Sequence, residues 1–89
     1  MVTVSFTQNI QRHVSCPTCR APAGTVADVL NAAFATNQAA RGYVLDDRGE
    51  LRRHMNIFVN GEPVRDRAGL SDAVPDGAEV YVMQALSGG

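Results

Sequence analysis

The stretch TVADVLNAAF, residues 25–34, carries the clearest structural signal in the chain. Its apolar residues recur at helical spacing and line one face: Val26, Val29, Leu30, Ala33 and Phe34. Thr25 is a favourable N-cap, and Asp28 in the first turn interacts well with the positive end of a helix. These features predict a helix that starts after Thr25 and runs to about Asn37. A helix with a single apolar stripe buries it against another layer of structure, here one face of a sheet.

The segments on either side of this helix alternate between apolar and polar residues, as half-buried strands do. We predict strands at residues 2–6, 10–14, 55–59, 62–65 and 79–86. Asn60-Gly61 favours a two-residue hairpin between the strands that flank it, and Val80 and Val82 are predicted to face inward. The remaining signals predict a loop at residues 16–24, a short extended piece at 43–45 and one helical turn at 70–74.

This order of elements predicts an α+β protein with a β-grasp, or ubiquitin-like, roll. Its core is a mixed sheet of four to five strands with one main helix packed on one face. With 89 residues, the chain has room for one domain. We place that domain at residues 1–86 and expect the Ser-Gly-Gly stretch at residues 87–89 to form a flexible C-terminal tail.

Composition and charge narrow the classes of function. A domain of this size has little volume for a deep substrate pocket, so a self-contained enzyme is disfavoured. The net charge of −1 and the pI of about 6.0 argue against nucleic acid or a membrane as partner. The N-terminal segment alternates instead of forming a continuous apolar run, which does not match a signal peptide, and we expect a cytoplasmic protein.

Gly88 and Gly89 follow the last predicted strand, separated from it only by Ser87. Glycine has no Cβ, so such a tail can enter a narrow active site of another protein. The group that it would deliver there is the α-carboxylate of Gly89, which is ionised at pH 7. A carboxylate is a poor electrophile and has to be activated, most simply as an acyl-adenylate.

The whole chain resembles the ubiquitin-like sulfur-carrier proteins, the family that includes MoaD, ThiS and CysO. The residues that carry the resemblance are the Val59-Asn60-Gly61 hairpin, the Asp76-Gly77 turn and the Gly88-Gly89 end. Residues 38–53 resemble a segment found in the CysO-like branch, to which the chain is most similar.

The resemblance implies a carrier protein and not an enzyme. An ATP-dependent activating enzyme, using magnesium, would adenylate Gly89, and a sulfur donor would then convert it to a thiocarboxylate. A downstream sulfur-transfer enzyme would take the sulfur for a cofactor, cysteine or a thiolated metabolite. Gly89 would carry the sulfur, Ser87 and Gly88 would form the tail, and the chain itself would bind no cofactor.

A ubiquitin-like protein modifier is the alternative, joined through Gly89 to lysines of other proteins. The chain has eight arginines and no lysine, which fits a donor that is never itself modified on a side chain. Both functions share the adenylation step, and the sequence leaves both open.

Phe58, Tyr81 and Met83 fall on strand positions opposite to the inward-facing valines. We predict that they form a partly exposed apolar patch that docks a partner, together with Leu86 at the end of the last strand. The alternative is that residues 38–53 cover this face.

His13, Cys16 and Cys19 have the spacing of three zinc ligands, and His54 is a candidate for the fourth. A second Cys-x-x-Cys pair is missing from the sequence, so we predict no metal site and interpret residues 16–24 as a loop that happens to hold two cysteines. A redox-active pair would sit at a helix N-terminus, whereas the predicted helix begins well beyond Cys19.

Four arginines in the second half of the chain are interpreted as a solvated basic surface: Arg52, Arg53, Arg65 and Arg67. Such a surface could also steer an acidic partner.

Overall fold

A computed structural model describes residues 1–84 of the chain. The helices and strands in this range are, in chain order, β1 (Val2–Phe6), α1 (Gln8–Gln11), β2 (Cys19–Ala21), β3 (Gly24–Thr25), α2 (Val26–Ala33), α3 (Gln38–Val44), β4 (Met55–Val59), β5 (Glu62–Pro63), β6 (Ala73–Val74) and β7 (Glu79–Gln84). They build a mixed sheet of five strands in the order β2-β1-β7-β4-β5, and a separate pair formed by β3 and β6.

The strand β7 lies at the centre of the five-stranded sheet. It pairs in parallel with β1 and antiparallel with β4, while β2 and β5 are the outer strands. Val80 and Val82 of β7 point into the core, as predicted, together with Val4 of β1 and Ile57 of β4. The apolar stripe of α2 covers this inner face. The predicted α+β class and β-grasp arrangement are therefore confirmed.

The N-terminus of α2 is fixed by the predicted cap. The Thr25 hydroxyl accepts a hydrogen bond from the backbone N–H of Asp28 at 3.1 Å. The Asp28 carboxylate in turn accepts from the backbone N–H of Thr25 at 3.1 Å. This reciprocal capping box satisfies N–H groups that a helix end otherwise leaves unpaired. The residues that the helix buries are Val26, Val29 and Leu30.

α2 ends at Ala33, before the predicted end near Asn37. The backbone at Phe34 leaves the helical conformation, and the Phe34 ring, 2% exposed, lies 5.9 Å from the ring of Phe6. Asn37 instead caps the next helix, because its side-chain oxygen accepts from the N–H of Ala40 at 3.2 Å. α2 is thus shorter than predicted, and α3 is a separate helix that the sequence analysis does not predict.

The predicted strand at residues 10–14 is wrong. α1 occupies the start of this segment and turns Ile10 into the core, where it is fully buried. The antiparallel partner of β1 is β2 instead, which sets Cys19 opposite Val4. β2 has only three residues, too few to show an alternating pattern in the sequence.

Two weaker predictions are also wrong. The extended piece predicted at residues 43–45 is mostly the last turn of α3, which buries Ala40 and Val44. The helical turn predicted at residues 70–74 is an extended segment in which β6 pairs with β3. Leu70 has a positive φ of 52°, a conformation that a right-handed helix does not accommodate.

The hairpin between β4 and β5 forms as predicted. Asn60 and Gly61, with positive φ angles of 50° and 84°, make the turn. β5 is shorter than the strand predicted at residues 62–65. The predicted end of the last strand at residue 86 lies outside the described residues, as do the predicted domain boundary and the tail at residues 87–89.

The helices are short, with eight residues in α2 and seven in α3. None among residues 1–84 has the length and apolar character that spanning a bilayer requires.

Cys16 belongs to the core. Its side chain is 2% exposed and lies in the same cluster as Phe6 and Phe34. Cys19 is half-buried at the start of β2. The interpretation of residues 16–24 as a loop that happens to hold two cysteines is therefore wrong, because Cys16 packs as a small apolar residue and Cys19 belongs to a strand.

We expect Cys16→Ser to lower the free energy of unfolding by about 1–3 kcal/mol, because it places a hydroxyl in an almost fully buried position. The Cys16 sulfur donates to the Val14 carbonyl at 3.5 Å, which is too far for a good O–H···O bond. For a domain of this size, each kcal/mol corresponds to a fall in melting temperature of roughly 4–8 °C. Thermal unfolding followed by circular dichroism measures the change.

Two control variants separate the loss of the sulfur from the burial of a hydroxyl. Cys16→Ala removes the sulfur without adding a buried hydroxyl, and Cys19→Ser makes the same chemical change at a half-buried position. We expect Cys19→Ser to cost less than about 1 kcal/mol. A Cys16→Ser protein as stable as the wild type would show that this position tolerates a polar group and is not part of a tightly packed core.

Candidate functional site

The residues with the most direct predicted role lie outside the part of the chain that the structure describes. These are Leu86, Ser87, Gly88 and Gly89. The described range ends at Gln84, the last residue of β7. The structure therefore describes the folded domain up to Gln84, which we call the body, and the surfaces near the end of β7.

Phe58, Tyr81 and Met83 lie on the face of the sheet opposite to the core. Phe58 and Tyr81 are paired across β4 and β7, and Met83 is the next residue of β7 on the same face. Pro63 of β5 is paired with Phe58 on the other side. Tyr81 is 43% exposed, and Phe58 and Met83 are half-buried. We call these four residues the outer patch.

The outer patch is open to solvent at Tyr81. The alternative prediction, in which residues 38–53 cover this face, does not hold there. The apolar residues that this segment buries are all in the core: Ala40, Val44, Leu45 and Leu51. An exposed tyrosine at the centre of a sheet offers a partner a large and rigid contact area.

Beyond β7, the same face of the sheet becomes polar. Ser5 of β1 is paired with Tyr81, and Thr3 is paired with Glu79. Arg20 of β2 lies opposite Thr3 on the outer side. The outward face therefore has the outer patch on β4, β5 and β7, bordered by Asn56 and Glu79 on these strands, and a polar half on β1 and β2. This division between an apolar centre and a polar margin is typical of protein interfaces.

The end of β7 is held by a side-chain contact that the sequence does not reveal. The Tyr43 hydroxyl of α3 donates a hydrogen bond to Oε1 of Gln84 at 2.9 Å. The Tyr43 ring stacks on the ring of His13, with a centroid distance of 5.5 Å and an angle of 23° between the planes. Tyr43 and Gln84 are 41 positions apart in the chain, and no local pattern predicts such a pair.

The candidate zinc ligands are not gathered into a site. Within residues 1–84, no three side chains of His, Cys, Asp or Glu lie close enough to hold a metal ion. Burial raises the pKa of the Cys16 thiol, and the charge of nearby Cys19 raises it further. Burial also raises the pKa of Cys19. Both cysteines therefore favour the thiol over the reactive thiolate, which argues against a nucleophilic or redox role.

The interpretation of Arg67 as a solvated surface charge is wrong. Its guanidinium donates to the backbone carbonyls of Met55 at 2.7 Å, Arg52 at 2.9 Å and Arg53 at 3.3 Å, and to Oδ1 of Asn56 at 3.2 Å. These acceptors lie at the start of β4, next to the point where β4 pairs with Gln84. Arg67 thus fixes the turn that leads into β4, while Arg53 and Arg65 are exposed as predicted.

The chain is similar in sequence to sulfur carriers and to small archaeal modifiers. The model of the ThiS family matches residues 18–89. Sulfur carrier protein CysO of Mycobacterium tuberculosis (strain ATCC 25618 / H37Rv) is 46% identical over 41 residues, which cover 46% of this chain and 44% of that protein. The match thus spans less than half the length of this mycobacterial relative. Small archaeal modifier protein 3 of Haloferax volcanii is 35% identical over 65 residues, which cover 73% of this chain and 70% of that protein.

Solved structures share the fold along the chain. The crystal structure of the Amycolatopsis orientalis BexX/CysO complex contains a chain that matches with a TM-score of 0.82 and 27% identity, with 100% of both chains covered. The crystal structure of SAMP1 from Haloferax volcanii matches with a TM-score of 0.80 and 27% identity, covering 99% of this chain and 98% of that chain. The structural similarity therefore includes β1 and α1, which precede the residues matched by the family model.

Replacing Arg67 with methionine should destabilise the protein by about 1–3 kcal/mol, because the carbonyls that it contacts would lose their donor. Arg53→Met is the matched control, since the Arg53 side chain is exposed, and it should change stability by no more than about 0.5 kcal/mol. Urea unfolding of both variants measures the difference. If both unfold at the same urea concentration as the wild type, the hydrogen bonds of Arg67 add nothing to stability.

Proposed function

The chain belongs to the ThiS family of ubiquitin-like sulfur-carrier proteins, and we propose that it acts as a sulfur carrier through Gly89. The observation that carries this proposal is the family match, which extends through residue 89 and so includes Gly88 and Gly89. Its relatives are named as carrier and modifier proteins, and the chain is accordingly a co-substrate of enzymes and not itself an enzyme.

In the proposed reaction, the Gly89 carboxylate attacks the α-phosphorus of ATP in an activating enzyme. An acyl-adenylate forms and pyrophosphate, with its magnesium, is released. A sulfur donor equivalent to hydrosulfide then attacks the acyl carbon, so that a C–S bond forms, the bond to AMP breaks and a proton is lost. The product is a thiocarboxylate, which a downstream sulfur-transfer enzyme consumes. ATP and magnesium are used by the activating enzyme, and we expect the reaction to take place in the cytoplasm, where ATP is supplied.

The position of Gln84 fits a reaction that takes place inside another protein. Fully extended, the five residues from 85 to 89 span at most roughly 18 Å. Ser87, Gly88 and Gly89 have the small side chains, or none, that a narrow channel requires. The carboxylate can therefore react within a partner while the folded body stays at the surface of that partner.

We propose that the outer patch docks on the activating enzyme. It is apolar, exposed at Tyr81, and part of the strand that leads to Gly89. A solved relative of the same fold comes from a complex of CysO with BexX, which supports the idea that such proteins work while bound to a partner. Leu86 is included in the proposed surface as the residue that directly precedes Ser87, Gly88 and Gly89.

The double substitution Tyr81→Ser with Met83→Ser should weaken binding to the activating enzyme by about 1–3 kcal/mol, because it removes the centre of the outer patch. Calorimetric titration of the two purified proteins measures the affinity. Arg20→Ser is the matched control on the polar half of the same face, and we expect little change in its affinity. Melting temperatures of all variants verify that they fold, and an unchanged affinity of the double variant would remove the outer patch from the interface.

With its activating enzyme, ATP, magnesium and sulfide, the chain should acquire a thiocarboxylate at Gly89. Intact-protein mass spectrometry would show sulfur in place of one oxygen, and an alkylating probe specific for thiocarboxylates would label the product. Deletion of Gly89 should abolish the product. Gly88→Ala should slow its formation, because a methyl group has to fit where backbone alone passed.

The thiols of the chain provide the internal control for this experiment. A mass shift that survives deletion of Gly88 and Gly89, or that maps to Cys16 or Cys19, would show that the carrier mechanism is wrong. The added mass would then be carried by a cysteine side chain and not by the C-terminal carboxyl group.

A protein modifier is the second candidate function, favoured by the similarity to small archaeal modifier protein 3. It would use the same activated Gly89, with a lysine amine of another protein as nucleophile in place of the sulfur donor. Tagged chain expressed in cells distinguishes the two functions. Covalent adducts on many proteins, lost when Gly89 is deleted, would favour the modifier, and a thiocarboxylate without adducts would favour the carrier.

A further inference from the structure

We propose that Tyr43 and Gln84 form a tail clamp, a contact between α3 and the end of β7 that sets the direction in which residues 85–89 leave the body. This inference rests on the proposed carrier function, since it concerns how Gly89 is presented to the activating enzyme. Tyr43 and Gln84 are positioning residues, and neither touches the reacting atoms.

Two features place Gln84, the last described residue of β7. The backbone of Gln84 is paired with Met55 of β4. Its side chain accepts the hydrogen bond from the Tyr43 hydroxyl at 2.9 Å, in a partly buried setting where water competes less well. The register of β7 on β4 thus places Gln84 opposite Met55, and the hydrogen bond from Tyr43 holds its side chain.

Tyr43 is itself held in a defined position. The ring of His13 stacks on it, and the next residue of α3, Val44, is fully buried in the core. The segment that carries His13 is tied to the end of β1, because Nε2 of Gln11 donates to the Phe6 carbonyl at 3.1 Å. The Tyr43 hydroxyl is therefore held in place independently of Gln84. A donor held in this way can orient the side chain that it contacts.

A fixed start reduces the number of directions that residues 85–89 can take. Reaction with ATP needs the Gly89 carboxylate within a narrow range of positions, and a displacement of about 1 Å can cost roughly 100-fold in rate. The outer patch lies on the opposite face from the Gln84 side chain, because neighbouring residues of a strand point to opposite faces. Loss of the clamp should therefore lower turnover while docking is preserved.

Three substitutions test the contact with little change in shape. Tyr43→Phe keeps the ring that stacks on His13 and removes the donor. Gln84→Met removes the acceptor at similar length, whereas Gln84→Glu keeps an oxygen that can accept from Tyr43. The matched control is Asn31→Ala, which removes another side-chain hydrogen bond of α3, from Arg41 to Asn31 at 2.8 Å, far from Gln84 in the chain.

Kinetics of thiocarboxylation with the activating enzyme give the first measurement. We expect Tyr43→Phe and Gln84→Met each to lower kcat about three- to tenfold, with KM for the carrier within about twofold of the wild type. The double variant should be no slower than either single variant, because both remove the same contact. Gln84→Glu and Asn31→Ala should retain kcat within about twofold. Unchanged kcat in both single variants, or effects that multiply in the double variant, would overturn the clamp.

Amide hydrogen exchange of the free chain gives a second measurement that does not depend on any enzyme. Exchange at Met83, which lies opposite Asn56 in a hydrogen-bonded pair of the β4–β7 ladder, should be at least about threefold faster in Tyr43→Phe, while exchange at Val80 stays within about twofold of the wild type. Equal exchange rates at Met83 in Tyr43→Phe and wild type would overturn the clamp even if kcat falls. A wild-type chain that is never thiocarboxylated would refute the carrier function instead, and the exchange rates would still decide whether the contact restrains the end of β7.

Discussion

The parallel pairing of β1 with β7 is the contact on which the rest of the structure depends. Parallel neighbours cannot be joined by a tight turn, so the chain between them has to cross over the sheet. That crossing carries α2 over the inner face and brings β4 to the free side of β7. β7 is consequently held by a strand on each side, and the residues that follow it start from the centre of the sheet and not from a loose edge.

This placement lets one strand serve both stability and recognition. Alternate residues of β7 point to opposite faces, so Val80 and Val82 fill the core while Tyr81 and Met83 belong to the outer patch. The two sets of residues can change independently, because substitutions on the outward face leave the packing against α2 intact. The same strand has a third function, because the hydrogen bond from Tyr43 to Gln84 links α3 to the end of β7.

The sequence predicts those parts of the molecule whose signal is local. β1, β4 and β7 alternate over five or six residues, and Thr25 with Asp28 marks the start of α2. The same alternation assigns Phe58, Tyr81 and Met83 to one face. β2, β3 and β6 have only two or three residues and exist because a neighbouring strand pairs with them, so no local pattern reveals them. The contacts of Arg67 and of Tyr43 depend on acceptors far away in the sequence. The sequence therefore predicts a solvated side chain for Arg67, which is wrong, and predicts no contact for Tyr43.

The central position of β7 also determines how the molecule responds to mechanical force. A pull on residues 85–89 acts along the axis of β7 and across its hydrogen bonds to both neighbours, such as the bond from the Thr7 N–H to the Val82 carbonyl at 3.1 Å. Bonds loaded in this shear geometry share the force and have to break together, whereas the bonds of a hairpin pulled at its open end break one at a time. Resistance to such a pull is set by the unfolding barrier, not by the equilibrium stability. A protease that unfolds its substrates by pulling on this end therefore first meets a strand that is held on both sides, and has to break the hydrogen bonds of β7 together.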